Sequence, residues 1–395
     1  MENSAFATRV QNLSGNVIRE ILKITDKPDI ISFAGGMPSP DALPAEDIRQ
    51  LSDEILRTSG KQVLQYSTTE GYGPLRQLIA ASLAERGIHV GAEQVLVISG
   101  AQQGIDLSAK VFINPGDYVI VERPTYLAAL HIFRSYEARF GFVDSDGDGM
   151  IPESLEAAVV RYRPKVIYVV PTFQNPTGVT LSLERRRAVA EIAARRRVAV
   201  VEDDPYAALR YDGMALPSIA SFDKEGFVVF LGSFSKVISP GLRVGYAAAA
   251  PDVFRKLTIG KQATDVHTSN LSQRLVYEFC NRGKLVPHID ATRQGYRVKR
   301  DAMIRAIERH FPKGAKFTRP DGGLFIWVEL PESIDTTLLL ERATERKVAF
   351  IPGSPFYADG SGRNTMRLNF TNASIEAIDE GMHRLGSTIA EALGV

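Results

Sequence analysis

Val95-Leu96-Val97-Ile98-Ser99-Gly100 is a short apolar run closed by a serine and a glycine, and a helical pattern follows it from about Ala101 to Phe112. The same punctuation recurs downstream. Tyr118-Val119-Ile120-Val121 reads as the next strand, with a helix opening near Pro124. Further apolar runs lie at Val166–Val170, Val198–Val201, Val228–Leu231 and Val244–Ala248, most of them separated by helical patterns. Short uniformly apolar runs, without polar alternation, are strands buried on both faces. Strands of this kind alternating with helices imply a mostly parallel sheet covered on each side, the α/β class.

Outward from this region the texture changes. After about Pro287 a long charged helix (Ile289 to Arg309) leads to the apolar strand Leu324–Val328. A helix near Thr336 to Arg346, strands at Val348 and Met366, and a closing helix from Ser374 complete a smaller α+β unit. At the other end, a short helix is expected from about Asn16 to Lys23. It is followed by the irregular Phe33-Ala34-Gly35-Gly36-Met37-Pro38, whose two glycines permit close backbone approach. The expected division is an amino-terminal arm over residues 1–45 that joins the small domain, a large domain over 46–286, and the small carboxyl-terminal domain over 287–395.

The 395 residues are 44% hydrophobic and 24% charged, with 47 basic against 46 acidic side chains. That balance is ordinary for a globular chain and gives no field suited to nucleic acid or an anionic membrane. The runs Arg185-Arg186-Arg187 and Arg195-Arg196-Arg197 fall in a helical pattern and are expected on a solvated face. Cys280, the single cysteine, has no internal partner and sits in an apolar helical stretch as filler, which fits a reducing compartment. The start Met1-Glu2-Asn3-Ser4 lacks the pattern of a secretion signal, and no apolar stretch reaches the roughly 20 residues that span a bilayer. A cytoplasmic protein is expected.

Chemistry concentrates at the ends of the strands. Gly232-Ser233-Phe234-Ser235-Lys236, followed by Arg243, puts two hydroxyls, an amine and a guanidinium in one loop. Hydroxyls and arginine bind phosphate, and a lysine desolvated beside other cations becomes a nucleophile ready to form a Schiff base. A plain polar loop is the alternative. Ser233-x-x-Lys236 also matches serine acyl-transferases, whose Ser-Asp-Asn and Lys-Thr-Gly motifs this chain lacks. Pro171-Thr172-Phe173-Gln174-Asn175-Pro176-Thr177-Gly178 follows another strand, where ligands bind in doubly wound sheets. Glu202-Asp203-Asp204-Pro205-Tyr206 closes a third: the acids suit a metal, or one buried carboxylate could pair with a protonated ring nitrogen. Ser99-Gly100-Ala101-Gln102 places a helix amino terminus where an anion can bind.

Two further patterns are set aside. Asp144-Ser145-Asp146-Gly147-Asp148-Gly149 begins like an EF-hand loop, but Leu155 stands where a bidentate glutamate is needed, so a surface turn is expected. The six histidines show no metal-ligand spacing, and no metal is expected.

Asn175-Pro176-Thr177-Gly178, Asp203-x-x-Tyr206, Ser233-x-Ser235-Lys236 and Arg243, taken in this order, resemble the class I/II aminotransferases of the fold-type I pyridoxal-phosphate (PLP) enzymes. The resemblance covers nearly the whole chain. It implies that Lys236 carries PLP and shuttles the substrate proton, and that Asp203 pairs with the pyridine nitrogen. Asn175 and Tyr206 would bond the phenolic oxygen. Ser233, Ser235 and Arg243, with backbone amides at Gly100, Ala101 and Gln102, would hold the phosphate. Tyr126 would stack on the ring, and Arg367 would clamp the substrate's α-carboxylate. Tyr66 matches a residue that reaches the other subunit's phosphate, which implies a homodimer.

Val17-Ile18-Arg19-Glu20-Ile21-Leu22-Lys23 and Ile31-Ser32-Phe33-Ala34-Gly35-Gly36-Met37-Pro38 look like the 2-aminoadipate and kynurenine/aromatic aminotransferase branch. There the arm covers the substrate, an arginine matching Arg19 can meet a distal acidic group, and Gly36 passes close by. Residues 262–270 lack the arginine that aspartate aminotransferases lend to a partner, which argues against ordinary aspartate specificity. The expected activity is ping-pong transamination between an L-amino acid (2-aminoadipate-like, aromatic or broadly aliphatic) and a 2-oxo acid such as 2-oxoglutarate. The same scaffold also supports lyases, decarboxylases and racemases.

Overall fold

The computed structural model describes residues 6–11 and 29–395. The helix expected at Asn16–Lys23, with Arg19, lies outside them. The central sheet has seven strands: β1 (Val95–Ile98), β2 (Tyr118–Glu122), β3 (Arg139–Val143), β4 (Val166–Val169), β5 (Ala199–Asp203), β6 (Val228–Ser233) and β7 (Gly245–Ala248). Across the sheet they run β1-β7-β6-β5-β4-β2-β3. All neighbours are parallel except β7, which is antiparallel to both β1 and β6. The mostly parallel sheet is as expected; β3 is an addition, because Arg139-Phe140-Gly141-Phe142-Val143 does not read as a uniformly apolar run.

Alternate residues of one strand enter different cores. Leu96, Ile98, Val119, Val121, Val201 and Leu231 share one apolar cluster with Ile105 and Leu107 of the helix Ala101–Phe112. Their neighbours turn the other way: Val95, Val97 and Phe230 into a second cluster, Ile120, Ile167 and Val200 into a third. Each buried Val, Leu or Ile contributes about 1.5–3 kcal/mol relative to exposure, and the sheet has no solvated face to spare. A four-stranded antiparallel sheet orders Lys316–Phe317, Phe325–Glu329, Thr365–Asn369 and Ile351–Pro352. Ile31–Ser32 pairs in parallel with Val348–Ala349, which ties the chain ahead of Gly36 to the later part of the sequence. The helix Ile375–Leu393 starts at the N-cap Ser374, whose hydroxyl accepts from Ala377 N–H.

Two local expectations are corrected. Arg186 is 1% exposed, not solvated. Its guanidinium donates to the carbonyls of Leu181, Pro217 and Pro171 and to Thr172 Oγ1, so four acceptors offset the burial of its charge. The helix expected near Pro124 begins at Leu127, because Thr125 N–H is bonded to Phe356 O instead of turning helical. Tyr126 therefore stands just ahead of that helix as its N-cap. The acidic stretch at 144–149 is the expected surface turn: a short, mostly exposed hairpin in which Arg185 donates to Asp146.

Candidate active site

The loops that leave the carboxyl ends of the parallel strands converge on a cavity of about 300 Å³. Twelve residues singled out from the sequence line it: Gly36, Ala101, Gln102, Tyr126, Asn175, Asp203, Tyr206, Ser233, Ser235, Lys236, Arg243 and Arg367. Sequence positions more than 300 residues apart thus meet in one small space. Two others stand apart. Gly100 lies behind the cavity wall, at φ +85°, against the Arg243 guanidinium. Tyr66 is 81% exposed, with its ring edge-on to His267.

Lys236 follows β6, half-buried, and its Nζ donates to Gly36 O at 2.8 Å. Burial, and then the guanidinium charges of Arg367 and Arg243, pull this amine down to about 8. A neutral fraction near physiological pH makes it a nucleophile and a base.

Asp203 is the last residue of β5, on the face that carries Val201. Its Oδ2 accepts from Tyr168 OH at 2.8 Å, while Oδ1 is buried without any donor among the described residues. Burial pushes this carboxyl up to about 7, against the bond from Tyr168, and the neighbouring Asp204 adds to the rise. An ionised oxygen with nothing to accept from is costly, so the site is built for a donor that comes with a ligand. Asp204 faces elsewhere and takes the guanidinium of Arg86.

Arg367 sits in the middle of Thr365–Asn369 and is 2% exposed. Nη1 donates to Asn175 Oδ1 at 2.9 Å and Nη2 to Ala34 O at 2.8 Å, but Nε has no partner among the described residues. Its guanidinium lies 4.3 Å from the Phe325 ring centroid and 5.1 Å from that of Phe356. Burial lowers it to about 10, where it still carries its charge at neutral pH. Burial also raises the Tyr126 phenol to about 12 and pushes Tyr206 well up.

At the other end of the cavity Arg243 takes a left-handed backbone at φ +54°, and its Nη2 donates to Ser99 O at 3.1 Å. Ala101 and Gln102, the first residues of the twelve-residue helix Ala101–Phe112, face the same space. Free N–H groups, a helix dipole and a guanidinium make this end an anion cradle. Ser233 and Ser235 line it too, and Ser233 Oγ accepts from Ser235 N–H at 3.1 Å.

Some of what builds the site carried no signal in the sequence. Tyr168 reads as one more apolar residue of β4, yet it is the only hydrogen-bond partner of Asp203's side chain among the described residues. Gln174 anchors its loop by donating to Pro124 O while accepting from Thr177. The carbonyls of Ala34 and Gly36 are backbone groups that only the fold could place.

The family model for aminotransferase class I and II matches residues 28–385. The chain belongs to this family. Among curated relatives of this aminotransferase, "Aromatic-amino-acid aminotransferase 1" of Thermococcus litoralis is 43% identical, over 98% of this chain and 94% of the relative. The solved structure of Pyrococcus horikoshii kynurenine aminotransferase with pyridoxamine phosphate (PMP), kynurenine and product superposes with a TM-score of 0.94. Identity is 43%, over 98% of this chain and 97% of that one. The α-aminoadipate aminotransferase of Thermus thermophilus, complexed with N-(5'-phosphopyridoxyl)-L-leucine, also gives a TM-score of 0.94 at 40% identity, covering 100% of this chain and 99% of that one.

The aminotransferase described here is a fold-type I enzyme, and its cofactor is pyridoxal phosphate. The residues present fit that group. The donorless Asp203 Oδ1 suits a protonated ring nitrogen, the cradle at Ala101 and Arg243 suits a phosphate, and the Lys236 amine lies in the same cavity.

Proposed function

We propose that this aminotransferase moves an amino group from an L-amino acid of the 2-aminoadipate-like, aromatic or broadly aliphatic kind to a 2-oxo acid, 2-oxoglutarate among them, in two ping-pong half-reactions. The carrying observation is one cavity that holds a depressed amine and, among the described residues, a carboxylate oxygen without a donor and a buried guanidinium whose Nε has no acceptor. When bound, pyridoxal phosphate supplies an aldehyde for an amine to condense with and a ring that takes up the electron pair left at the substrate's Cα.

Each residue then has a task. Lys236 Nζ would hold the cofactor at rest; released by the incoming amine, it would take the proton from Cα as a general base and deliver it to the cofactor's C4′ carbon. Asp203 Oδ1 would accept a hydrogen bond from the protonated ring nitrogen and keep the proton on that nitrogen. Tyr206 and Asn175 donate to the phenolic oxygen, and Tyr126 lies on the ring face. Ser233, Ser235, Arg243 and the amides that follow Gly100 hold the phosphate dianion. Arg367 takes the substrate α-carboxylate, for which a bidentate guanidinium is suited and its Nε is free. Gly36 borders the substrate, and Arg19 meets a distal acidic group. Tyr66 serves the site of a second copy in a homodimer. The cytoplasm is the proposed location, supported by a single cysteine, Cys280, whose thiol burial pushes up to about 12.

Borohydride reduction of the purified holoenzyme should fix the pyridoxyl group on Lys236, read by peptide mapping. An amino donor without an acceptor should convert the bound cofactor to pyridoxamine phosphate. A label on another lysine, or a spectrum indifferent to every donor tried, overturns the assignment. A donor panel with 2-oxoglutarate should show that Arg19→Ala loses acidic donors more than apolar ones.

A further inference from the structure

Lys261 is fully buried, in the helix Pro251–Asp265. Its ammonium donates to both carboxylate oxygens of Asp265, at 2.8 and 3.0 Å, and to Gln103 Oε1 at 2.9 Å. Asp265 Oδ2 in turn accepts from Ser99 Oγ and from Gln103 Nε2, each at 2.8 Å. Gln103 Oε1 also takes Ser99 N–H at 2.7 Å. Thr268 Oγ1 lies 3.2 Å from Ser99 Oγ.

Ser99 and Gln103 bracket Gly100-Ala101-Gln102. On the near side of that turn, Ser99 O receives Arg243 Nη2, and Ala101 and Gln102 face the cavity. On the far side lies Asp265. A full carboxylate thus sits directly behind the positive end of the helix Ala101–Phe112. Alone it would offset the helix dipole and repel an anion bound across the turn.

We propose that Lys261 is a positioning residue for the cofactor's phosphate. It cancels the charge of Asp265, so that this carboxylate can order the Ser99–Gln103 turn without opposing a dianion on the turn's other side. The inference rests on the phosphate placement of the proposed function, and it concerns charge as well as shape.

The test compares two ligands that differ by one phosphate. Full-length protein stripped of cofactor is titrated with PLP and with pyridoxal, followed by absorbance, for the wild type, Lys261→Met, Asp265→Asn and the double variant. Lys261→Met should lose about tenfold or more in PLP affinity but no more than about twofold for pyridoxal. Asp265→Asn should keep or raise the PLP-to-pyridoxal ratio, and the double variant should recover most of what Lys261→Met lost. Equal losses for both ligands, or no recovery in the double variant, overturn the proposal, since a merely structural lysine would behave so. If Lys261→Met does not fold, Asp265→Asn decides: a fallen ratio overturns the proposal and a held or raised ratio supports it. A wild type that binds PLP no better than pyridoxal would unseat the phosphate placement itself, a distinct outcome.

Discussion

Asp203 is held in a state that suits its ligand better than its own fold. Its carboxyl, ordinarily at 3.8, is pushed up to about 7 by burial. Between those values the folded chain binds a proton that the unfolded chain does not. Stability of the cofactor-free protein therefore falls as pH rises through that window, and the penalty is fully present above it. Asp203→Asn removes the charge while keeping an acceptor for Tyr168 OH. The cofactor-free variant should gain on the order of 1–3 kcal/mol over the wild type at pH 8, with the gain shrinking as pH falls toward 4. Urea midpoints measured at pH 8 and pH 5 check this; an equal gap at both would remove Asp203 as the cause. The same variant should lose most of its turnover, because a neutral amide cannot hold the ring-nitrogen proton.

At the scale of the element, the ends of strands and helices do the positioning, and backbone freedom limits what can stand there. Gly100 joins β1 to the helix Ala101–Phe112 at φ +85°, and a Cβ added there would fall on the Arg243 guanidinium. Gly116, at φ +87°, has open space where its Cβ would be. Alanine is strained at both positions, and more so at Gly100, where ψ of 157° places the backbone in a region nearly restricted to glycine at a cost of about 1–3 kcal/mol. Only Gly100→Ala should also weaken PLP binding, by about tenfold, since a hydrogen-bonded guanidinium is displaced. Comparing melting temperatures and PLP titrations of the two variants separates strain from site damage; similar binding in both refutes the link through Arg243. What the sequence made legible follows the same physics. Val95–Ile98 and Tyr118–Val121 are uniformly apolar because both sheet faces are covered, so their strands could be read directly. Asp203, Asn175 and Lys236 were legible as motif residues at strand ends, and Arg367 as a charge inside an apolar strand. The reversed direction of β7 was not, because Gly245-Tyr246-Ala247-Ala248 would read alike in either direction. Nor was the burial of Arg186, whose four acceptors are mostly carbonyls contributed by distant loops.

For the whole molecule, the proposed homodimer sets which copy of the chain would complete which site. Tyr66 does not line the cavity and points its exposed ring to the surface beside His267. Val266, next to His267, is a β-branched residue at φ +64°, a strained conformation that surrounding contacts must hold. Leu64 is 74% exposed and Val266 45%, so this edge presents apolar surface that a second copy would cover. If Tyr66 serves the site of the second copy, two defective chains should rescue one another. Lys236→Ala lacks the amine, and Tyr66→Ala lacks the phenol. In a mixed dimer one site would then combine an intact Lys236 with an intact Tyr66 from the other chain, while the second site would lack both. Co-expressed, differently tagged chains purified through both tags should therefore exceed the Tyr66→Ala homodimer in activity and in PLP affinity per Lys236-bearing site. If Tyr66 instead acts within its own chain, every Lys236-bearing site in the mixture still lacks its phenol. The mixed species then stays at the Tyr66→Ala level, and the crossed arrangement is wrong.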